Sequence, residues 1–248
     1  MPPIPTQPAL PKIHSLQAYG NIAQALSVVE QLRQQRQAQS DLAQRTHALR
    51  RWQAQRFRNT YEDILKDAHM GPAALFFLSE LYSEQEFSQR DAQFARIAGA
   101  IERLFPQSVV QTATLLAKLH ALSETLDACM AIQWQAASDQ QSTLDLSNYM
   151  SSWQSLMSTP GYAIARQQQL DATQELGLQL QRHTKVPGLR LMLKMMHAPA
   201  TAAGLQDLQR FLERGFDTFG QLGKAGKVQQ FLAAVAQREG AWLAQMAS

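Results

Sequence analysis

QSVVQTATLLAKLHALSETLDACMAIQWQA, residues 107–136, is the longest run of the chain that keeps one period throughout. Leu116, Leu119, Leu126 and Met130 recur at three-, seven- and four-residue steps, which stacks them on one face of a helix. Pro106 stands directly before the run. There a fixed φ and a missing N–H suit a first helical turn. No stretch shows the sustained apolar–polar alternation of a half-buried strand, so the reading is all-α.

Working back from this run, Ser88 or Asp91 opens a helix through Phe94, Ile97, Ile101 and Leu104, stopped at Phe105-Pro106. Gly71-Pro72 is a breaker, with Pro72 placed for a helix over Ala73–Tyr82. Ile22, Leu26, Val29 and Leu32 mark a helix that starts near Ser15 or Asn21. Ser40 can cap a second stretch carrying Leu42, Leu49, Trp52, Phe57, Tyr61, Ile64 and Leu65, unless the two run on as one. Working forward, Ser142–Asp145 caps a short helix with Tyr149, Trp153 and Met157, and Pro160-Gly161 ends it. The next helix reaches about His183, and Pro187 begins a short Met-rich one. Pro199 begins another, through Leu208, Phe211 and Phe219, interrupted by Gly220, Gly223 and Gly226. A last helix holds Val228, Phe231, Leu232, Val235, Trp242, Leu243 and Met246. Short connections favour antiparallel neighbours. The expectation is a single-domain antiparallel bundle of about eight to ten helices over residues 15–248, behind a disordered Pro-rich arm at residues 1–14, where five prolines fall. The weakest joint is Ala137–Ser142.

Only 17% of the 248 residues are charged, against a usual share of about 25%, and 34 glutamines fill much of the gap. With 45% apolar residues the chain can build a core, which argues against wholesale disorder. Cys129 stands alone and can close no internal disulfide. The N-terminus has no basic and apolar signal-peptide pattern, and no stretch approaches the roughly 18 apolar residues of a membrane helix. A cytoplasmic location and no membrane span are therefore expected. Charge is uneven: Gln31–Tyr61 carries seven arginines and one aspartate, whereas Glu62–Phe105 carries four basic and eight acidic residues. Such a split marks either a nucleic-acid face or two segments that complement each other in the fold or across a dimer. No nucleic-acid motif accompanies the arginines, so the second alternative leads.

Two polar sets stand out. His120, Glu124 and Asp127 lie four and seven residues apart, at the edge of the apolar stripe of the long helix. There they could share a proton, hold a partner, or simply pair with another helix. Arg90-Asp91, preceded by Arg56 and Tyr61, offers a guanidinium fork for an anion and a carboxylate that could instead cap a helix. The two sets could share one pocket, which packing decides. Phe76, Phe77, Met192 and Met196 are the candidates for an apolar pocket. Met192, Met195, Met196 and His197 have sulfur and imidazole, but no CxxCH accompanies them, and core packing is the simpler reading. No histidine has a glutamate three residues before it and HExxH is absent, so no metal site is assigned and no cofactor is called for. GQLGKAGKV, residues 220–228, has the wrong spacing for a phosphate loop and reads as a turn between helices. Cys129, on an apolar helix, lacks the setting of a nucleophile.

FFLSELY, residues 76–82, resembles the signature of the bacterial proteins named after an FFLEELY motif, with Ser79 in place of a glutamate. The resemblance continues through RWQAQRFRNTYEDIL (51–65), FSQRDAQFARI (87–97), LHALSETLD (119–127) and GLQDLQRFLERGFDTF (204–219). It implies an all-helical fold and no particular chemistry. The leading functional expectation is a non-enzymatic interaction or regulatory protein, acting through a protein partner or by self-association, a dimer included. The first alternative is a bundle that binds a small apolar or anionic ligand, an acyl chain or a haem-like group, in an internal pocket gated by Arg90 and His120. The second is an enzyme with His120 as general base, oriented by Asp127 or Glu124.

Overall fold

The computed structural model describes residues 9–80, 86–134 and 144–247. Among these the fold is helical throughout: α1 (Ile22–Gln37), α2 (Ser40–Thr60), α3 (Glu62–Leu65), α4 (Gly71–Glu80), α5 (Ser88–Leu104), α6 (Gln107–Gln133), α7 (Leu146–Met157), α8 (Tyr162–Thr184), α9 (Leu189–Met195), α10 (His197–Ala202), α11 (Gln206–Lys224) and α12 (Val228–Ala247). The expected architecture, an all-α bundle, is the one observed. Two short helices that were not expected, α3 and α10, bring the count among the described residues to twelve, above the expected eight to ten. The stretch that was to run from Ser40 to the Gly71-Pro72 break divides at Tyr61, whose backbone leaves helical geometry. The stretch after Pro199 divides at Gly204, where φ is +68° and glycine is favoured. The joint expected at Ala137–Ser142 lies outside the described residues, as do Leu81 and Tyr82 of FFLSELY.

The ends obey local chemistry. Asn21 caps α1, its side chain accepting from the Gln24 N–H while Gln24 reaches back to the Asn21 N–H. Asp145 caps α7 by accepting from the Asn148 N–H at 2.8 Å. Ser40 is the first helical residue of α2, and Gln39 in the cap position makes no side-chain cap bond. Gly226, at φ +68°, turns the chain from α11 into α12, but the turn expected over residues 220–228 is confined to 225–227, because Gly220 and Gly223 lie within α11 and do not interrupt it. Of the expected arm, residues 9–14 lie against the bundle rather than away from it: Leu10 and Ile13 pack on the core and the Pro11 carbonyl faces the Cys129 thiol.

α6 is the central element, packed by α1, α2, α7 and α8. Around it lies one apolar cluster, with Leu122, Leu126 and Met130 of α6 against Ile22, Leu26 and Val29 of α1 and Trp153 and Leu156 of α7. A second cluster joins α4, α11 and α12 through Phe76, Phe77, Phe219 and Phe231. Gly177 lets α12 come close to α8, since a Cβ there would stand 2.6 Å from a Leu232 methyl. No helix among the described residues is long and apolar enough to cross a membrane.

Candidate functional site: a charged cavity inside the bundle

The apolar stripe of α1 runs Ile22, Leu26, Val29 and then, at the same three- and four-residue steps, Arg33 and Arg36. Both arginines are buried. A buried guanidinium is tolerated only when paired, and here the pairs come from the acidic half of the chain. Arg33 donates to Asp91 of α5 at 2.6 Å, and Arg36 to Glu124 of α6 at 2.7 Å. Arg50 of α2, also buried, donates to the other oxygen of Glu124 at 2.5 Å and to Glu86 at 2.9 Å. Of the seven arginines between Gln31 and Tyr61 only Arg51 and Arg58 are exposed. The two segments of opposite charge thus meet inside the fold through Arg33, Arg36 and Arg50 on one side and Glu86 and Asp91 on the other, and this segment presents no broad basic face to a nucleic acid.

These pairs border a cavity of about 140 Å³. His120, Glu124 and Asp127 line it from α6, Arg90 and Asp91 from α5, and Arg56 from α2, so six of the seven residues picked out for a polar pocket meet there. Tyr61, the seventh, stands behind the wall: its hydroxyl donates at 2.8 Å to Glu239, which lines the cavity and also receives Arg56 at 2.8 Å. Residues not singled out from the sequence complete the lining. They include Arg50, Gln53, Glu80, Arg166 and Glu239, with Tyr149, Trp153, Phe211 and Trp242 as aromatic walls. One signal could have found several of them. Arg50, Arg166 and Glu239 each sit where their own helix's apolar stripe calls for a core residue.

The structure corrects three expectations. His120 is not oriented by Glu124 or Asp127; its Nε2 lies 3.1 Å from an Asp91 oxygen, while Glu124 is taken by two arginines and Asp127 accepts from Gln53 at 3.0 Å. An ionised carboxylate can only accept, so Nε2 carries the proton in that contact. Asp91 does not cap α5, because its oxygens are taken by Arg33, Arg90 and His120. The apolar pocket does not form. Phe76 and Phe77 are core, Phe76 stacking on Phe211 at 5.7 Å, whereas Met192 is only half-buried on α9 and Met196 is exposed. Nor do the methionines and His197 converge or pack in the core as expected: Met195 and Met196 are exposed, no residue of α9 is buried, and His197 pairs with Glu213 at 3.0 Å.

Burial would raise Asp91, but the hydrogen bond from His120 and the charges of His120, Arg90 and Arg33 outweigh it and hold the carboxyl at about 2. Glu124 is likewise held down against strong burial, by Arg50 and Arg36. Asp127 goes the other way: burial raises it further than Arg50 and Arg166 lower it. In Glu80 too burial prevails over Arg90 and Arg214. Cys129 is pushed up to about 12 by burial, which leaves it a thiol. Two carboxyls of one cavity are thus shifted in opposite directions, a pattern that functional sites and structural ion-pair networks share.

The Asp91 shift has a consequence for stability. A carboxyl that ionises more readily when folded contributes stability above its ordinary pKa of 3.8, and that contribution fades as pH falls toward 2. It amounts to about 2 kcal/mol. Urea unfolding between pH 4 and pH 2 is expected to show this loss in the native protein. Asp91→Asn is expected to lie lower at pH 6 and to vary less across that window. An unchanged slope in the variant would remove Asp91 from the acid response.

No curated protein and no solved structure matches the chain. A family does, from Leu32 to the C-terminal Ser248, and so takes in every residue that lines the cavity except Leu26. The chain belongs to the family described as a domain of unknown function (DUF8198).

Proposed function

We propose that this bundle binds a small polar molecule in its internal cavity. The observation that carries the reading is the convergence of arginine, carboxylate and aromatic side chains from α2, α4, α5, α6, α7, α8 and α12 on one space of about 140 Å³. An apolar cavity of roughly 150 Å³ admits benzene, so the guest is about one ring in size. No large apolar residue of α1 or α2 is exposed, so these helices offer no apolar face to a partner. Association remains the second reading, resting on the exposed Leu191, Met195 and Met196 in and after α9. The kinship with bacterial FFLEELY-motif proteins belongs to the same proposal, supported by the buried Phe76-Phe77 pair and by Arg214, which donates to Ser79 at 3.2 Å and to Glu80 at 2.7 Å. A cytoplasmic location is supported by the unpaired, buried Cys129.

Native mass spectrometry of the protein as purified, beside its denatured mass, tests the binding reading. An excess mass released on denaturation is expected. A clean native mass, together with no thermal shift from any of a panel of small acids, amides and amines, would sink it.

A further inference from the structure

We propose that the guest is a small organic carboxylate with a body about one ring in size, and that Arg166 is its anchor. This rests on the binding reading above.

Arg166 differs from the other arginines of the cavity wall. Arg50, Arg56 and Arg90 each hold a carboxylate. Among the described residues no carboxylate stands at ion-pair distance from Arg166, although its side chain is buried. Its hydrogen-bond partners are neutral. Nε and Nη2 donate to the Tyr162 hydroxyl at 3.1 and 2.7 Å, and Nη1 donates to the Gln169 carbonyl oxygen at 3.2 Å. These partners also fix it in place. Gln169 is held in turn through its amide by Ser123 at 2.8 Å, and the guanidinium lies over the Trp153 ring at 4.5 Å. Five N–H groups less three bonds leave two unspent, one on each terminal nitrogen. That pair is what a carboxylate takes in a two-point grip.

The missing counter-charge points the same way. Asp127 acts on Arg166 through space without contact, and burial shifts it toward its neutral form. A buried cation with no carboxylate in contact has room for an anion beside it. Trp153 and Tyr149 beside the guanidinium and Leu116 and Leu119 of α6 supply flat and apolar surface for the rest of the guest.

The test compares isosteres on the full chain. Benzoate and phenylacetate are titrated beside benzamide, phenylacetamide and benzylamine, by calorimetry and thermal shift. The acids are expected to bind at least about tenfold more tightly than their amides, and Arg166→Gln to abolish the difference. The comparison on the unaltered protein stands even if the variant does not fold. Equal binding of acid and amide, or a preference for benzylamine, overturns the anchor and leaves the binding reading intact. Failure of both acids beside a retained native mass overturns the carboxylate assignment alone. Failure of every acid, amide and amine with a clean native mass removes both proposals.

Discussion

Glu124→Ala is expected to lower the melting temperature on the order of 10 °C. Glu124 is 9% exposed and receives Arg36 on one oxygen and Arg50 on the other. Removing it leaves two buried guanidinium groups with only the half-exposed Glu86 between them. Orphaning buried charge costs about 3–5 kcal/mol, a large part of the roughly 5–15 kcal/mol that holds a domain together. Each kcal/mol moves a chain of this size by about 2–4 °C. A companion experiment separates the cost of orphaned charge from the worth of the network. Replacing Arg36, Arg50 and Glu124 together by methionine, methionine and leucine removes the pairs without stranding a partner, and is expected to come back close to the native melting temperature. If the single alanine variant melts within about a degree of the native protein, the network is not what joins α1 and α2 to α6.

The second large effect lies in the other cluster. Phe231 is fully buried and meets Phe77 edge-on at 5.5 Å. Truncation to alanine is expected to cost about 3–5 kcal/mol, through lost transfer energy and the cavity left behind. The four tryptophans make this variant informative, because Trp134 and Trp153 belong to the first cluster and Trp52 and Trp242 pack against it. α8 and α12 touch both regions, so a single cooperative unit is expected, as the reading of the chain as one domain requires. Tryptophan fluorescence and far-ultraviolet circular dichroism are then expected to shift by the same amount in Phe231→Ala. A fluorescence transition that stays at the native temperature while the helical signal melts early would mean that the second cluster unfolds alone, and the single-domain reading would fall.

Much of the architecture was legible because it is local. Pro106 before α6, Asp145 at the cap of α7, Pro160-Gly161 between α7 and α8 and Gly226 between α11 and α12 act on their own neighbours, through missing donors, cap bonds and positive φ. Of the two breaks that were missed, the one at Gly204 is local, a glycine at positive φ, and the other is set by tertiary packing. The break at Tyr61 has no proline or glycine to announce it; there the chain turns so that Tyr61 is fully buried and reaches Glu239, 178 residues away.

The candidate site divides in the same manner. His120, Glu124 and Asp127 could be read as one edge of α6, because helical geometry alone places residues four and seven apart on one side. Their partners could not, since Asp91, Arg36, Arg50 and Gln53 come from three other helices. The charge segregation along the chain was visible, but whether it faced solvent or another segment depended on helix placement. By itself the sequence determined an all-α chain, the run of α6 and the residue types able to line a pocket, since periodicity and breakers work over a few residues. Only the tertiary structure decided that arginines of the apolar stripes would turn inward onto acids far along the chain, and that Arg166 would reach the cavity without one. Which charges meet is a property of how helices pack, and no local spacing encodes it.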